Sequence, residues 1–504
     1  MNQIKAGVLL NYIIIGLNTL VGLLYTPYML RCLGQNEYGL YSLVASVIAY
    51  LTILDFGFGN AIIRYTSKFK AEGKTTEQWE MFGMFTIVYS IIGVLTGLVG
   101  CGLYFNIDAM FDKTMSVDDL EQARGMMIFL IINLAVTFPF SIFGSIITAY
   151  EDFIFQKVIQ IIRIILCTAT LVALLYCGYR AIALVVVQTI FNIITLLINF
   201  LYCRYRLKIK IWFHQFDWTF VKEITTYSFW IFLNSIMDRI YWGTGQFVLG
   251  AVSGTVAVAI FSVAITLQQM YMQFSTSIAN VLLPRITAMV ASHKTEKEIS
   301  DLFIYTGRLQ SIVMLFILSG FIIFGRGFIH IWAGEDYSVS YIITLVFFLS
   351  LFIPLIQNVG ISILQARNQM RFRSLCYVVI ALVSLVCQIW LSKIYGAIGC
   401  AIAIGGALLL GQGIVMNYYY ATHQHLDIIN FWKQIGKMMI IPCILTVIGI
   451  TSWKIINYDS FLALFSGIVI FSLIYLPLFY CFSMNHREKE LIATPINKIL
   501  HLIR

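Results

Sequence analysis

An arginine stands inside one of the long apolar runs of this sequence, and polar residues share its helical face. Offsets of 0, 4, 7 and 11 residues align Ser235, Arg239, Trp242 and Gln246 on one side of an α-helix. A guanidinium group is always charged and holds phosphate through two parallel hydrogen bonds. The indole ring offers a stacking surface for a sugar, and the hydroxyl and amide groups offer hydrogen bonds. This face has the chemistry to recognise a phosphorylated sugar.

Uncharged polar residues form a longer stripe in the next apolar run, with offsets of 0, 3, 7, 10 and 14 residues. Such side chains can line a substrate cavity, but they also join helices by hydrogen bonds in apolar bundles. Both interpretations remain open. The candidate cavity residues beyond the Arg239 face are Thr266, Gln269, Gln273, Thr276 and Asn280 in the stripe, Asn11 and Asn18 in the first run, and Gln357 and Asn358 in a later one.

The elements that must position these residues are membrane helices. Of the 504 residues, 60% are hydrophobic and only 11% are charged, whereas a soluble protein carries about 25% charged residues. Apolar runs of roughly 20 residues, enough to span a bilayer, recur along the whole chain. They are near-continuous, which is unlike the short alternating strands of a membrane barrel. The sequence predicts an all-α polytopic membrane protein.

About fourteen transmembrane helices are predicted. The first apolar run continues to Leu30 without a small-residue cleavage site, so we interpret it as a permanent span and not as a signal peptide. The predicted spans cover residues 8–30, 39–63, 81–104, 125–148, 158–178, 181–203, 224–250, 255–283, 309–332, 341–364, 374–393, 397–420, 437–456 and 460–483.

The net charge of +9 comes from basic residues that are distributed unevenly about these spans. With the amino terminus inside, 25 of the 33 Lys and Arg residues fall in cytoplasmic segments, Arg163 and Arg308 among them, and 7 fall in outer segments. This asymmetry follows the positive-inside rule, and it places both termini in the cytoplasm. The basic excess therefore indicates membrane lipids as partners and excludes nucleic acid.

An internal repeat divides the chain. LYSL at 40–43 resembles IFSV at 260–263, the basic residues Arg64 and Arg285 close the two spans, and Ala149 aligns with Ala366. The offsets of 220, 221 and 217 residues cover six spans, so the halves have parallel orientation, as in many alternating-access transporters. We predict an N-terminal lobe at 1–210, a C-terminal lobe at 211–420, and two additional helices with a cytoplasmic tail at 421–504.

Arg239 lies about midway through its span, where a charge costs several kcal/mol and usually faces a wet cavity or a partner. Its neighbour Asp238 points about 100° away on the helix, so the two side chains do not fully neutralise each other. Arg239 therefore either lines a substrate cavity or forms a structural ion pair with another helix. The sequence leaves both alternatives open.

The stretch LDFGFGNAIIR ends the second span with polar residues and glycines. Gly57 and Gly59 loosen the helix or let a neighbour approach closely. Asp55 can satisfy freed backbone donors or pair with a basic group, and Arg64 anchors the span at the inner interface. We predict a gating or structural role for these residues and for Asp238, the structural alternative being a packed and capped helix end.

No residue pattern indicates catalysis. The longest outer loop has about 20 residues and lacks an acid–base constellation, and no GxxxxGK[ST] motif is present. We therefore expect no catalytic residues, no metal site and no cofactor. Coupling to a proton or sodium gradient is left open, because no pattern identifies either ion.

Several motifs resemble those of one transporter family. They are YTPYMLRCLGQNEYGLYSLV followed by LDFGFGNAIIRY, LLPRI at 282–286, FGRGFIHIWAGEDY at 324–337 and ILQARNQMR at 363–371. Their order and spacing over the first twelve spans resemble the O-antigen and exopolysaccharide flippases (Wzx/RfbX type) of the MOP superfamily. That superfamily also holds the lipid II flippases and the MATE-type multidrug exporters.

The resemblance implies two six-helix lobes in a MATE-like V around a central cavity, plus two C-terminal helices. It also implies translocation of an undecaprenyl-pyrophosphate-linked oligosaccharide across the bacterial inner membrane, from the cytoplasmic to the outer leaflet. Polymerase and glycosyltransferases of the same pathway would be partners. Two alternatives are a cation-coupled multidrug exporter, which would need more carboxylates than Asp55 in spans 1–6, and a membrane O-antigen polymerase or ligase.

Overall fold

The computed structural model describes residues 3–213, 232–233, 236–292, 295–367, 369–452, 458 and 460–490. Within these ranges the regular structure is helical, and no β-strand occurs. The predicted all-α fold class is confirmed.

Residues Met1–Ser262 and Gln388–Cys400 form the first of two compact units. Its helices are α1 (Gln3–Leu51), α2 (Phe58–Glu72), α3 (Thr75–Phe105), α4 (Ile107–Phe111), α5 (Val117–Ala149), α6 (Phe153–Tyr176), α7 (Ala181–Tyr205) and α8 (Thr244–Ser253). Helix α5 packs against α3 and α7, and α1 packs against α6. Phe82, Ile142 and Ile146 lie in the core of this unit and are completely buried.

Residues Val263–Cys387 and Ala401–Arg504 form the second unit. Its helices are α9 (Thr255–Ala291), α10 (Glu296–Trp332), α11 (Ser340–Ile356), α12 (Asn358–Ala366), α13 (Met370–Leu408), α14 (Met416–Thr422), α15 (Ile428–Ser452) and α16 (Phe461–Phe482). The first residues of α9 and a stretch of α13 belong to the first unit. Helix α10 contacts α11, α15 and α16. The division of the chain at residues 210 and 420 stays a prediction.

Eleven segments of the described chain are long and apolar enough to cross a membrane. Two of them, Leu9–Glu72 and Met370–Thr422, have 64 and 53 residues. Each is interrupted by a glycine with a non-helical backbone, Gly34 and Gly396, and so holds two predicted spans. The multi-pass architecture is confirmed. Residues 224–231 and 234–235 of predicted span seven lie outside the described residues, and the count of fourteen stays a prediction.

Polar side chains fix where helices begin. The Thr295 hydroxyl accepts a hydrogen bond from the Glu298 N–H, and the Glu298 carboxylate accepts one from the Thr295 N–H, so that α10 starts with a capping box. The buried Glu37 carboxylate accepts hydrogen bonds from Ala181 N–H at 2.9 Å and from Arg180 Nη1 at 2.8 Å. Because free N–H groups at a helix start need acceptors, Glu37 stabilises the beginning of α7.

Candidate substrate site

The helix of span two is interrupted at the motif LDFGFGN. Helix α1 ends at Leu51, and Thr52–Asp55 form a single 3-10 turn. Phe56 and Gly57 follow with left-handed backbones, at φ values of 51° and 71°, before α2 begins at Phe58. This backbone is unstrained for glycine but costs other residues roughly 1–2 kcal/mol. The polar and glycine residues of the motif therefore coincide with a helix break.

Two donors hold the Asp55 carboxylate at the break. The Tyr89 hydroxyl donates to Asp55 Oδ1 at 2.8 Å, and the Gly57 N–H also donates to this carboxylate. Asp55 thus satisfies a backbone donor that the break frees. At Gly59 an added Cβ would lie 3.3 Å from Ser145 Oγ, so the missing side chain lets α5 approach α2 closely. The gating role of Asp55, Gly57 and Gly59 stays a prediction.

Arg239 is exposed and lies beside the same break. Its Nη2 donates a hydrogen bond to Thr52 Oγ1 at 3.1 Å. The Tyr50 and Thr244 hydroxyls are also hydrogen-bonded to each other. Residues 50–52 therefore contact residues 239–244 at two points. Asp238 is exposed as well. The structure therefore brings the predicted phosphate-binding residue next to the predicted gate residues, within the first unit.

The other residues of the Arg239 face differ in their surroundings. Trp242 is partly buried. The Gln246 amide donates to Ser262 Oγ at 2.8 Å, which commits one of its polar groups to a contact inside the first unit. Ser235 lies outside the described residues. Arg64, predicted to anchor span two, is exposed on α2.

The two asparagines of span one lie along α1, beside α6. Asn11 Oδ1 accepts a hydrogen bond from Lys157 Nζ at 2.9 Å. Asn18 lies two turns further along α1 and is exposed. Of the two predicted cavity residues, Asn11 is therefore engaged by a neighbouring helix, and Asn18 presents its amide at the surface of the unit.

The polar stripe predicted for span eight lies on α9, in the second unit. Gln269 is exposed, and Thr266 and Gln273 are partly buried. The Thr276 hydroxyl donates to the backbone carbonyl four residues earlier at 3.1 Å, so its hydrogen atom is used within the helix. The side chain of Asn280 lies outside the part of the chain that the structure describes. Binding of substrate by this stripe stays a prediction.

Gln357 lies between α11 and α12, where the helix of span ten is interrupted. Its amide forms a reciprocal pair with Asn417, with N···O distances of 2.8 and 3.2 Å, and Trp432 Nε1 donates to Asn417 Oδ1 at 2.9 Å. Gln357 is buried and both ends of its amide are occupied, so substrate binding would require these bonds to open. The neighbouring Asn358 is partly buried.

Two arginines of the group predicted to be cytoplasmic lie within helices. Helix α6 begins at Phe153, five residues before the predicted span, and Arg163 therefore lies well inside a membrane helix. Arg308 is inside α10 and only 5% exposed. The predicted assignment of Arg163 to a cytoplasmic segment needs this correction, whereas that of Arg308 stays a prediction. The hydrophobic residues on both sides of Arg163 were a sequence signal for its position.

Arg308 forms a buried ion pair with Glu488, which is 1% exposed. Its Nε and Nη2 donate to the two carboxylate oxygens at 2.6 and 2.9 Å. Nη1 donates to Gln434 Oε1 at 3.2 Å, and Nη2 also donates to the Ser483 carbonyl at 3.0 Å. These bonds join α10, α15 and the segment after α16. No local signal identifies a partner that lies 180 positions along the chain.

The described site residues offer a guanidinium group, amides and hydroxyls, and two carboxylates, of which that of Asp55 accepts a hydrogen bond from Tyr89. This set can bind phosphate and sugar hydroxyl groups. Among the described residues, no group of three or more His, Cys, Asp or Glu residues could hold a metal ion.

Comparisons with known proteins agree with this description. The profile of the family described as "Polysaccharide biosynthesis protein" matches residues 4–290. A "Putative O-antigen transporter" of Salmonella typhi is 21% identical, with 80% of this chain and 93% of that protein covered. Helical transporters of the MOP superfamily are also similar in structure.

The structure "Lipid II flippase MurJ, inward closed conformation" superposes with a TM-score of 0.72 at 15% identity, over 94% of this chain and 98% of that chain. An inward-facing multidrug resistance MATE family transporter of the MOP superfamily superposes with a TM-score of 0.58 at 13% identity, over 79% and 98% of the two chains. The predicted MOP-type transporter fold is confirmed.

Proposed function

The chain belongs to the polysaccharide biosynthesis protein family, and from this membership we propose that it is a flippase for undecaprenyl-pyrophosphate-linked oligosaccharides. The substrate would pass from the cytoplasmic to the outer leaflet of the bacterial inner membrane. Both termini would face the cytoplasm, and the polymerase and glycosyltransferases of the pathway would be partners. The proposal includes no cofactor and leaves the coupling ion, proton or sodium, unassigned.

The observation that carries the proposal is the exposed Arg239 guanidinium beside the break in span two. A diphosphate must cross a layer in which an isolated charge costs several kcal/mol or more. A permanently charged guanidinium compensates the charge of a phosphate group and forms two parallel hydrogen bonds with its oxygens. Arg239 donates to the uncharged Thr52 hydroxyl, a contact that a phosphate oxygen can replace.

We propose that transport is alternating access in which the break changes conformation. Phe56 and Gly57 already have non-helical backbones, so a change there breaks few helical hydrogen bonds. Asp55 would hold one arrangement of the break through its bonds from Tyr89 and Gly57. Arg239 touches this segment through Thr52, so substrate binding and bending would be coupled.

The test is complementation in a bacterium that lacks its own O-unit flippase. Surface polysaccharide and resistance to cationic drugs are scored in the same cells. Restored polysaccharide with unchanged resistance supports the proposal. Raised drug resistance without polysaccharide would contradict it in favour of the multidrug exporter.

A failure of both readouts would be followed by transport of a labelled lipid-linked glycan from the native host into proteoliposomes. Absence of transport there would refute the flippase. The same assay tests the membrane polymerase alternative, because a polymerase would lengthen the glycan without moving it between leaflets.

A further inference from the structure

Arg163 lies deep inside a membrane helix of the first unit. It is ten residues after the start of α6 and thirteen before its end, which places it about 15 Å and about 20 Å from the two ends. The hydrocarbon layer is about 30 Å thick, so the guanidinium belongs to its interior. No hydrogen bond or ion pair joins Arg163 to another residue of the described chain. A charge at this depth ordinarily marks a polar ligand or a wet surface.

Helix α6 has an exposed apolar face and, roughly opposite to it, a polar face on which Gln160 is exposed. Five exposed apolar residues follow one face, which therefore lies against lipid: Val158, Ile162, Ile165, Leu166 and Val172. On the roughly opposite face Gln160 is exposed, and Arg163, Cys167 and Thr170 are partly buried at helical spacing. Gln156, on the same side but nearer the start of the helix, is hydrogen-bonded to Thr148 and Gly144 of α5. An exposed glutamine on the side away from lipid indicates that this second face borders water.

The neighbouring helix α1 has the same arrangement. Gly7 contacts Phe153, and Asn11 accepts a hydrogen bond from Lys157, so four residues along α1 match four along α6 and the helices run parallel. Seven residues beyond this hydrogen-bonded pair, Asn18 reaches the depth of Arg163. Asn18 is exposed, whereas the exposed apolar residues of α1 lie roughly opposite to it: Leu9, Ile13, Leu20 and Leu24.

We propose that Asn18, Gln160 and Arg163 form a second phosphate-binding site in the first unit, the α1–α6 site, which holds the diphosphate of the lipid-linked substrate. Gln160 and Arg163 are three residues apart, so their side chains reach the same ligand. The guanidinium would bind phosphate oxygens, and the amides of Asn18 and Gln160 would donate to phosphate or sugar oxygens. This inference rests on the proposed function.

The test measures binding of undecaprenyl diphosphate to the full chain in phosphatidylcholine nanodiscs. Arg163→Gln is expected to weaken binding about tenfold or more, because a charge-assisted pair of hydrogen bonds is lost. Arg163→Lys keeps the charge but loses the paired hydrogen bonds of the guanidinium. Its affinity for undecaprenyl diphosphate should lie between those of the wild type and Arg163→Gln. The control is Arg204→Gln, which removes an exposed charge at the end of α7 in the same unit and should change affinity less than about twofold.

Wild-type affinity in Arg163→Gln, or an equal loss in Arg204→Gln, would overturn the α1–α6 site while leaving the flippase in place. No binding by the wild-type protein would instead count against the proposed function itself. Equal competition by phosphatidylglycerol would show a general lipid phosphate site and overturn the assignment to substrate. If Arg163→Gln does not fold, Gln160→Ala and Asn18→Ala test the same site, each with an expected loss of about threefold.

Discussion

At the scale of single residues, the guanidinium group of Arg239 forms few hydrogen bonds with the rest of the protein. Its guanidinium makes one described hydrogen bond, to the uncharged Thr52 hydroxyl, and the side chain is exposed. A structural arginine such as Arg308 is instead buried and bonded at every nitrogen. The contrast favours a binding role for Arg239, since its donors remain accessible to a ligand.

Arg239→Gln is expected to abolish surface polysaccharide in the complemented strain, because the phosphate charge is then uncompensated during transfer. Arg239→Lys should retain partial transport, since an ammonium group keeps the charge and loses the fork. Arg204→Gln is the control, and it should transport normally because it removes an exposed charge at the end of α7 that has no role in the proposed site. Polysaccharide is measured on the cell surface, and protein in the membrane by immunoblot. Normal transport by Arg239→Gln would refute the binding role.

The ion pair of Arg308 and Glu488 is predicted to be essential for stability. Arg308→Met leaves a carboxylate buried without a counter-charge, which costs about 3–5 kcal/mol. The double variant Arg308→Met with Glu488→Met should recover much of this loss, because no buried charge remains. Thermal unfolding of the detergent-solubilised protein measures both. Lys74→Met, which removes a surface pair with Glu72, should change little. Equal melting temperatures of the single and double variants would show that the unpaired Glu488 charge is not the cause of the lost stability.

At the scale of elements, the break after α1 depends on backbone conformations that only some residues tolerate. Gly57→Ala places a Cβ on a left-handed backbone and should cost roughly 1–2 kcal/mol in the observed conformation. Gly16→Ala on α1 is the control, because a Cβ there meets nothing within 4 Å and the backbone is helical.

If the break is a gate, Gly57→Ala lowers the transport rate in proteoliposomes by several-fold while Gly16→Ala does not. Thermal unfolding of both variants separates a general loss of stability from a transport defect. An unchanged rate for Gly57→Ala together with lower stability would assign the break a purely structural role.

Much of the helical structure could be predicted from hydropathy, because a membrane helix must satisfy its own backbone and must be apolar along its length. The LDFGFGN motif also indicated where span two departs from a helix, since two glycines and an aspartate are costly there. What hydropathy missed is the start of α6: the predicted span begins at residue 158, after the polar residues Gln156 and Lys157, although the helix includes both.

Contacts between distant residues account for the rest of what the sequence did not reveal. Glu488 could not be paired with Arg308, nor Asn417 with Gln357, because nothing in the spacing of a single sequence encodes which helices adjoin. The same limit applies to the candidate substrate site. Arg239 was predicted as a candidate from its position in a span, but its neighbour Thr52 is 187 positions away.

At the scale of the whole molecule, the internal repeat and the charge asymmetry together predict two halves with the same orientation in the membrane. The aligned alanines Ala149 and Ala366 are the last residues of α5 and α12. The repeat therefore matches helix ends as well as residue types. An offset of six spans requires the corresponding ends to lie on the same side of the membrane. The basic residues near both ends predict that this side is the cytoplasm.

The orientation gives the last prediction. Alkaline phosphatase, which is active only outside the cytoplasm, should be active when fused at Met115, between α4 and α5, in the acidic loop. Fusions at Ser292, after α9, and at Glu490, after α16, should be inactive, while green fluorescent protein fused at these two positions should fluoresce. The physical reason is that Lys and Arg near span ends resist translocation. An active phosphatase at Glu490 together with an inactive one at Met115 would reverse the predicted orientation. The proposed direction of substrate transfer would then have to be reassigned relative to the break after α1.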